Sequence, residues 1–279
     1  NKEELFSNAE KYKKNGDWNV WGCEFNKLQA DFLPIRTYRD MEEMDSGTKE
    51  EYKIDPITPL IEFLGSIPRD QQVWIQILVR SHKEEDKDPI TGKKIDLRWA
   101  KSAQTEIDKI ITGAKGEKDK EGKFVPGTGR QLTDVEKDTI NALGRSVSKK
   151  GFDVGMRAIY VAPKDTFNPS NIGGIIGGVT HFNSSLNGFK PARGSSDKYS
   201  FFLLAWKDRS AEAKHEEKAD LLDKYKRRAY FHKPFISPHF VLNSEELATI
   251  FHFPGGVSVT PTFSRIESKK AEAPSNLPV

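Results

Sequence analysis

The chain has a single cysteine, Cys23, and no apolar run that approaches the ~18 residues of a membrane-spanning helix. One cysteine cannot form an internal disulfide, and no cluster of cysteine and histidine residues supplies the four ligands of a structural zinc site. The low cysteine content is compatible with a reducing, cytosolic setting. The sequence therefore predicts a chain without disulfides, metal or membrane span of its own.

An excess of one charge is also absent. The 44 basic and 41 acidic residues leave a net charge of +3, and hydrophobic residues make up 36% of the 279. Such a balance does not indicate a nucleic-acid binder across the whole chain, so this function would need a local patch. The apolar fraction is sufficient for a packed core, although the mean hydropathy of −0.65 is polar.

Motifs of catalysis are missing as well. The six histidines form no H-E-x-x-H pair, and there is no G-x-S-x-G sequence. Gly173 and Gly178 have the spacing of a P-loop, but Val179 and Thr180 follow, so the lysine that a P-loop needs after its last glycine is missing. We therefore predict no catalytic, cofactor-binding or metal-binding residue, no small-molecule substrate and no enzymatic activity in this chain.

Alternation of apolar residues predicts three main strands, over residues 18–28, 72–82 and 152–162. Cys23 lies on the apolar face of the first and is expected to be a buried small side chain. The segment 72–82 is apolar on both faces, which favours a central strand. A further short extended piece is expected at 239–242.

Apolar residues at helical spacing predict helices over 56–65, 96–114, 133–147 and 211–230. Two helix starts carry capping boxes, Thr133 with Glu136 and Asn243 with Glu246. Asn168-Pro169 is interpreted as an N-cap followed by proline at the first helical position. The glycines of the helix that follows, 173–178, are expected to permit close packing of this helix on the sheet.

These elements predict an α+β fold with an open, mainly antiparallel sheet and helices packed on one face, with a ferredoxin-like tendency. Residues 1–17 are a polar lead-in, and 18–242 form the α+β domain. Long charged loops are expected at 83–95 and 115–131, and a further Gly/Ser/Pro-rich loop at 186–200. Residues 243–279 are expected to form a C-terminal helix and an extended linker.

One local patch combines cations with aromatic residues. Residues 224–233 contain five cations and no anion, interleaved with tyrosine and phenylalanine. Cations attract phosphates and aromatic rings stack on bases, so the patch is a candidate nucleic-acid site. The alternative is a helix C-terminus whose cations complement the helix dipole while the aromatic residues pack on the core. The candidate contacts are Lys224, Lys226, Arg227, Arg228 and Lys233.

The C-terminal segment Phe240–Gly255, FVLNSEELATIFHFPG, closely resembles a signature of a family of conjugation-type ATPases. These proteins of uncultured, ultrasmall bacterial lineages are similar to type IV secretion coupling and motor proteins. The resemblance continues through Thr260–Ile266 and Ser268–Pro278. Three earlier stretches are similar to the same family: Leu33–Tyr38, Gln72–Ile77 and Gly151–Tyr160.

The resemblance implies a domain of unknown function that precedes a DNA-transfer motor. In the family, membrane-associated sequence precedes this region, and a RecA-like P-loop motor follows the Asn-Leu-Pro segment at 276–278. ATP and magnesium would bind only in that motor, which this chain does not contain. The expected location is cytoplasmic, at the inner face of the membrane through segments outside this chain.

The function expected from the resemblance is a non-catalytic docking domain. Its partners would be its own motor domain, neighbouring subunits and the membrane complex of a secretion-like system, with DNA as a further candidate. The element at 243–255 is either the junction with the motor or simply the last helix of this domain. A free-standing enzyme would require a deep pocket with converging titratable groups. The candidate docking residues are Asn243, Glu246, Leu247, Phe251, His252, Phe253 and Pro254.

Overall fold

A computed structural model describes residues 17–44, 55–83, 85–87, 94–96, 99–116, 122, 128–194 and 211–253. The strands are β1 (Trp18–Lys27), β2 (Gln72–Ser81), β3 (Glu85–Lys87), β4 (Lys94–Asp96), β5 (Gly151–Pro163), β6 (Phe189–Gly194) and β7 (Phe240–Asn243). The helices are α1 (Tyr38–Met44), α2 (Thr58–Ser66), α3 (Trp99–Ala114), α4 (Asp134–Val147), α5 (Ser170–Thr180), α6 (Ala211–Arg227) and α7 (Ser244–Ile250).

The main sheet is built around β5, its longest strand. Its order is β2-β5-β1-β6, with β7 also paired to β5, and every pairing is antiparallel. β2 pairs along one side of β5, while β1 and β7 follow one another along its other side. Strands β3 and β4 form a separate hairpin. The predicted α+β fold with an open antiparallel sheet is confirmed.

Alternate residues of β5 serve two different cores. One face is apolar along its length, and helices α2 and α5 pack on it. The opposite face is apolar only at Ile159 and Val161, where Leu221 of α6 covers the sheet together with Val20 of β1. The residues of β5 in the first, larger core are Val154, Met156, Ala158, Tyr160 and Ala162.

Helices therefore cover both faces of the sheet, which corrects the prediction that they pack on one face. The prediction that 72–82 forms a central strand is also wrong, because among the described strands β2 lies at the edge of the sheet and pairs only with β5. Its apolar second face comes from Trp74, which stacks on Tyr225 of α6 with ring centroids 5.4 Å apart. Because α6 covers this second face, an edge strand has apolar residues on both faces, the pattern that was expected of a central strand.

Three local predictions need correction as well. Strand β6 lies in the predicted loop 186–200, and the β3–β4 hairpin begins in the predicted loop 83–95. Both were missed because proline, glycine and charge outweigh apolar residues in these segments. Helix α5 begins at Ser170 with Pro169 as N-cap, so Asn168, the predicted N-cap, lies one residue before the observed cap position. The Asn168 side chain instead accepts a hydrogen bond from the Ser170 amide at 3.0 Å.

Glycines of α5 permit close packing against helix α2, and not against the sheet as predicted. A Cβ atom on Gly174 would overlap the ring of Phe63, and one on Gly178 would lie 2.6 Å from Cδ1 of Leu60. Gly173, one residue earlier, has no atom within 4 Å of its Cβ position. The helix thus contacts α2 through some of its glycines and exposes others.

We predict opposite effects for two neighbouring alanine substitutions in α5. Gly174→Ala forces the Phe63 ring to move and should lower the free energy of unfolding by about 1–3 kcal/mol. Gly173→Ala gains helix propensity without a clash and should raise the free energy of unfolding by about 0.5 kcal/mol. Urea unfolding of the two variants checks this. Equal effects of the two would contradict the packing described.

Candidate functional site

Strand β7 and helix α7 are joined by a capping box that lies in the interior of the protein. Asn243 Oδ1 accepts hydrogen bonds from the amides of Glu245 and Glu246, both at 2.9 Å. In return, Glu246 Oε2 accepts one from the Asn243 amide at 2.8 Å. The box predicted from the sequence is therefore present. It fixes the direction in which α7 leaves the sheet, because the strand runs into the helix without an intervening loop.

The Glu246 carboxylate binds more than its own helix. Oε1 accepts a hydrogen bond from the Ile35 amide at 2.9 Å and lies 3.5 Å from Lys27 Nζ. Lys27 also donates to the carbonyls of Asp31 and Val241, at 2.8 and 3.3 Å. Burial raises the pKa of Glu246, while Lys27 and the two amides oppose that shift. The contacts join β1, the segment 31–35, β7 and α7.

Two further helices attach to the same element. The Asn243 side-chain amide donates to Ser146 Oγ of α4 at 3.1 Å. Glu245 lies 2.9 Å from Lys149 Nζ and 3.7 Å from Arg145 Nε, and Arg145 reaches Asp40 of α1 at 2.7 Å. Ile250 belongs to the main core, and Leu247 packs against it. The domain boundary predicted at residue 243 thus falls inside one packed unit.

The candidate docking residues separate into an inner and an outer group. Asn243 and Glu246 are buried and Leu247 is partly buried. Phe251 and Phe253 are 64% and 91% exposed, with ring centroids 6.5 Å apart. His252, between them, binds Asp55 through Nε2 at 2.5 Å and the Ala248 carbonyl through Nδ1 at 2.8 Å. Pro254 lies outside the described residues.

The candidate nucleic-acid residues do not all face solvent. Lys224 is 5% exposed and pairs with Asp220 at 2.8 Å, so it cannot reach a phosphate without leaving that pair. Arg227 pairs with Asp223 at 2.8 Å. Lys226, Arg228 and Lys233 are exposed. Arg227 is exposed as well, so the patch presents four outward cations, and two of its five cations, Lys224 and Arg227, form ion pairs within α6.

The aromatic residues of the patch pack inward for the most part. Tyr230 is fully buried, with its ring under the Arg157 guanidinium at 4.8 Å. The Phe231 ring lies 4.5 Å from the guanidinium of Arg80 on β2. These contacts agree with the alternative to nucleic-acid binding, in which the aromatic residues of the patch pack on the core.

A cluster around Asp153 was not singled out from the sequence. Asp153 of β5 lies 2.6 Å from His82 Nδ1, 2.8 Å from Arg80 Nε and 3.8 Å from His239 Nε2. The sequence signal for this cluster is the alternation that places Arg80 and His82 on one side of β2 and its extension. The position of Asp153 beside them depends on the pairing of β2 with β5, which alternation does not predict. The carboxylate orients the His82 ring and pairs with the Arg80 guanidinium.

Cys23 is buried as predicted, and burial raises the pKa of its thiol. Among the described ranges, no group of three or more His, Cys, Asp and Glu side chains could hold a metal ion. In the same ranges, no helix is long and apolar enough to cross a bilayer.

Comparisons with known proteins give no family for the chain. No protein-family model, no curated protein and no solved structure matches it.

We predict that the two capping-box glutamates differ in their effect on stability. Glu246→Ala leaves Lys27 buried without its carboxylate and should cost about 3–5 kcal/mol of unfolding free energy. Glu136→Ala is the matched control, because Glu136 holds the same position in the box of α4 with a side chain that reaches solvent. Its loss should be clearly smaller. Similar unfolding midpoints in urea for both variants would contradict the interior role of Glu246.

Proposed function

We propose that this chain is a non-catalytic docking domain of a membrane-associated, type IV secretion-like DNA-translocating ATPase. The observation that carries the proposal is the pair of exposed phenyl rings, Phe251 and Phe253, directly after the rigidly held helix α7. Exposed large aromatic side chains are informative because they are enriched at interfaces and costly to hydrate. The resemblance of Phe240–Gly255 to the region before the motor suggests the partner.

The docking contact is assigned to the outer group alone. Asn243 and Glu246 use their hydrogen-bonding atoms inside the domain, so they position α7 and do not meet the partner. His252 is held by Asp55 and by the turn of α7 before it. This contact orients the chain between the two phenylalanines. The partner surface would be an apolar pocket on the domain's own motor, with neighbouring subunits and the membrane complex as further partners.

The resemblance also underlies the remaining parts of the proposal. ATP and magnesium would bind in the motor, and the domain would lie at the cytoplasmic face of the membrane through segments outside this chain.

The test is a double substitution in the parent ATPase, Phe251→Ser with Phe253→Ser. Loss of both apolar anchors should reduce motor ATPase rate or hexamer assembly about tenfold, since removal of interface anchors costs more than 1 kcal/mol each. Deleting residues 243–279 is a poorer test, because it also removes Asn243 and Glu246 from the folded core.

Val135→Ser is the matched control, because Val135 is 74% exposed on α4. It should leave both quantities unchanged. Thermal unfolding of the isolated chain should be unaffected by either change. An ATPase rate and assembly equal to those of the unmodified parent would reject docking through these rings.

Nucleic-acid binding remains the second candidate function, and the exposed cations Lys226, Arg228 and Lys233 favour it. This function predicts binding of single-stranded DNA that weakens steeply as salt rises, because bound phosphates release counterions. Arg228→Glu with Lys233→Glu should abolish it, whereas the charge-matched control Lys109→Glu with Lys137→Glu should retain it. Fluorescence anisotropy at two salt concentrations measures both. Absent or salt-independent binding removes this candidate.

A further inference from the structure

The sheet face that contacts α6 is divided into an apolar and a polar half. Helix α6 covers the apolar half around Ile159 and Val161. The segment 228–239, which we call the strap, follows α6 and covers the polar half. There, Glu24 of β1 and Gln76 of β2 lie opposite Arg157 of β5, so three polar side chains form one row across the sheet.

The strap is held to this row by single hydrogen bonds. Arg157 Nη2 donates to the Ala229 carbonyl at 2.5 Å, and Ser237 Oγ donates to Glu24 Oε1 at 2.8 Å. Gln76 Nε2 donates to the carbonyl of Tyr225, in the last turns of α6, at 3.2 Å. Each contact can break without disturbing a strand pairing, because none involves the sheet backbone.

The same row contains buried polar atoms that lack partners. Glu24 Oε2, Gln76 Oε1, and Nε and Nη1 of Arg157 have no hydrogen-bond partner within the described residues. Glu24 and Arg157 are 2% and 0% exposed. A buried donor or acceptor without a partner keeps its full desolvation cost. Closure of the strap is thus opposed by groups that would hydrate if it opened.

The start of the strap is strained. Arg228 has φ of 53°, in the left-handed region that disfavours side chains other than glycine. The Ala229 amide bonds to the Lys224 carbonyl and the Arg228 amide to that of Tyr225, the two bonds of a Schellman motif. Glycine usually holds this position, so an arginine here weakens the attachment of the strap to α6.

Tyr230 acts in the opposite direction. Its ring is fully buried against Gly155, where a Cβ atom would overlap it, and its hydroxyl donates to the Pro238 carbonyl at 2.8 Å. Burying an aromatic ring is strongly favourable, so the closed state dominates. The strap is balanced between this ring and the costs at the polar row and Arg228.

We propose that residues 228–239 open away from the sheet while the sheet and α6 stay folded, so that the strap is a conformational switch. Arg228 is the hinge at its start, and the β7 strand, paired with β5, anchors its end. Opening exposes Glu24 and Arg157 together with the Tyr230 ring, whereas Gln76 keeps its bond to Tyr225 of α6. Opening requires no loss of the β5 pairings or of the main core.

Nitration of the full chain by tetranitromethane, mapped by mass spectrometry, tests the proposal. Tyr160 is the internal reference, because it is equally buried but lies in the main core. Tyr230 should be nitrated at least tenfold faster than Tyr160, because opening of the strap alone is less costly than unfolding of the domain. Equal, slow nitration of the two would overturn the proposal.

Two substitutions should move the rate of Tyr230 nitration in opposite directions. Ser237→Ala leaves both Glu24 oxygens without partners and should raise the rate about tenfold. Arg228→Gly relieves the left-handed strain and should lower the rate about fivefold. Ser148→Ala is the control, since Ser148 is an exposed serine whose hydroxyl donates to the Arg145 carbonyl in its own helix. Equal changes in the nitration rate of Tyr160 would mean that the variants act through global unfolding, and this result would also overturn the proposal.

Discussion

The buried pair of Lys27 and Glu246 is the contact on which the arrangement of the C-terminal element depends. Either charge alone in the interior would be prohibitively costly, so each residue requires the other to be in place. Lys27 lies at the end of β1 and Glu246 in the first turn of α7, 219 residues apart in sequence. The start and the end of the described fold are therefore coupled directly. The segment 31–35 is held between them through the Asp31 carbonyl and the Ile35 amide.

The sequence predicted the local parts of this arrangement but not its long-range part. The capping box of Asn243 and Glu246 follows from a spacing of three residues, and it was expected before the structure. That Glu246 is fully buried depends on Lys27 and Ile35, which no local pattern connects to it. The strands β1, β2 and β5 were predictable from alternation. Strand β6 was not predictable, because Pro191 and the glycines around it are typical of loops. Its partner strand β1 is also far from it in sequence.

The proposed docking site shows the same limit of prediction from local sequence. The sequence motif grouped seven residues that share a stretch of chain, whereas the structure separates buried positioning residues from exposed rings. Burial depends on the neighbours that a residue meets in three dimensions, which periodicity cannot supply for a helix of seven residues. In the basic patch, likewise, Lys224 has the charge of a phosphate ligand, but its position in the helix turns it toward Asp220 and the sheet.

Two buried glutamates in the same domain illustrate why one region should be rigid and another able to move. Glu246 has a donor at each oxygen, so its release would break several good hydrogen bonds and strand Lys27. Glu24 has a donor, Ser237, at only one oxygen, and it faces Arg157, whose Nε and Nη1 also lack hydrogen-bond partners. Burial is therefore well compensated by hydrogen bonds at Glu246, whereas at Glu24 it leaves a desolvation cost. The firmly held helix α7 and the strap that we propose to open can thus rely on the same residue type, because what differs is how completely each carboxylate is satisfied.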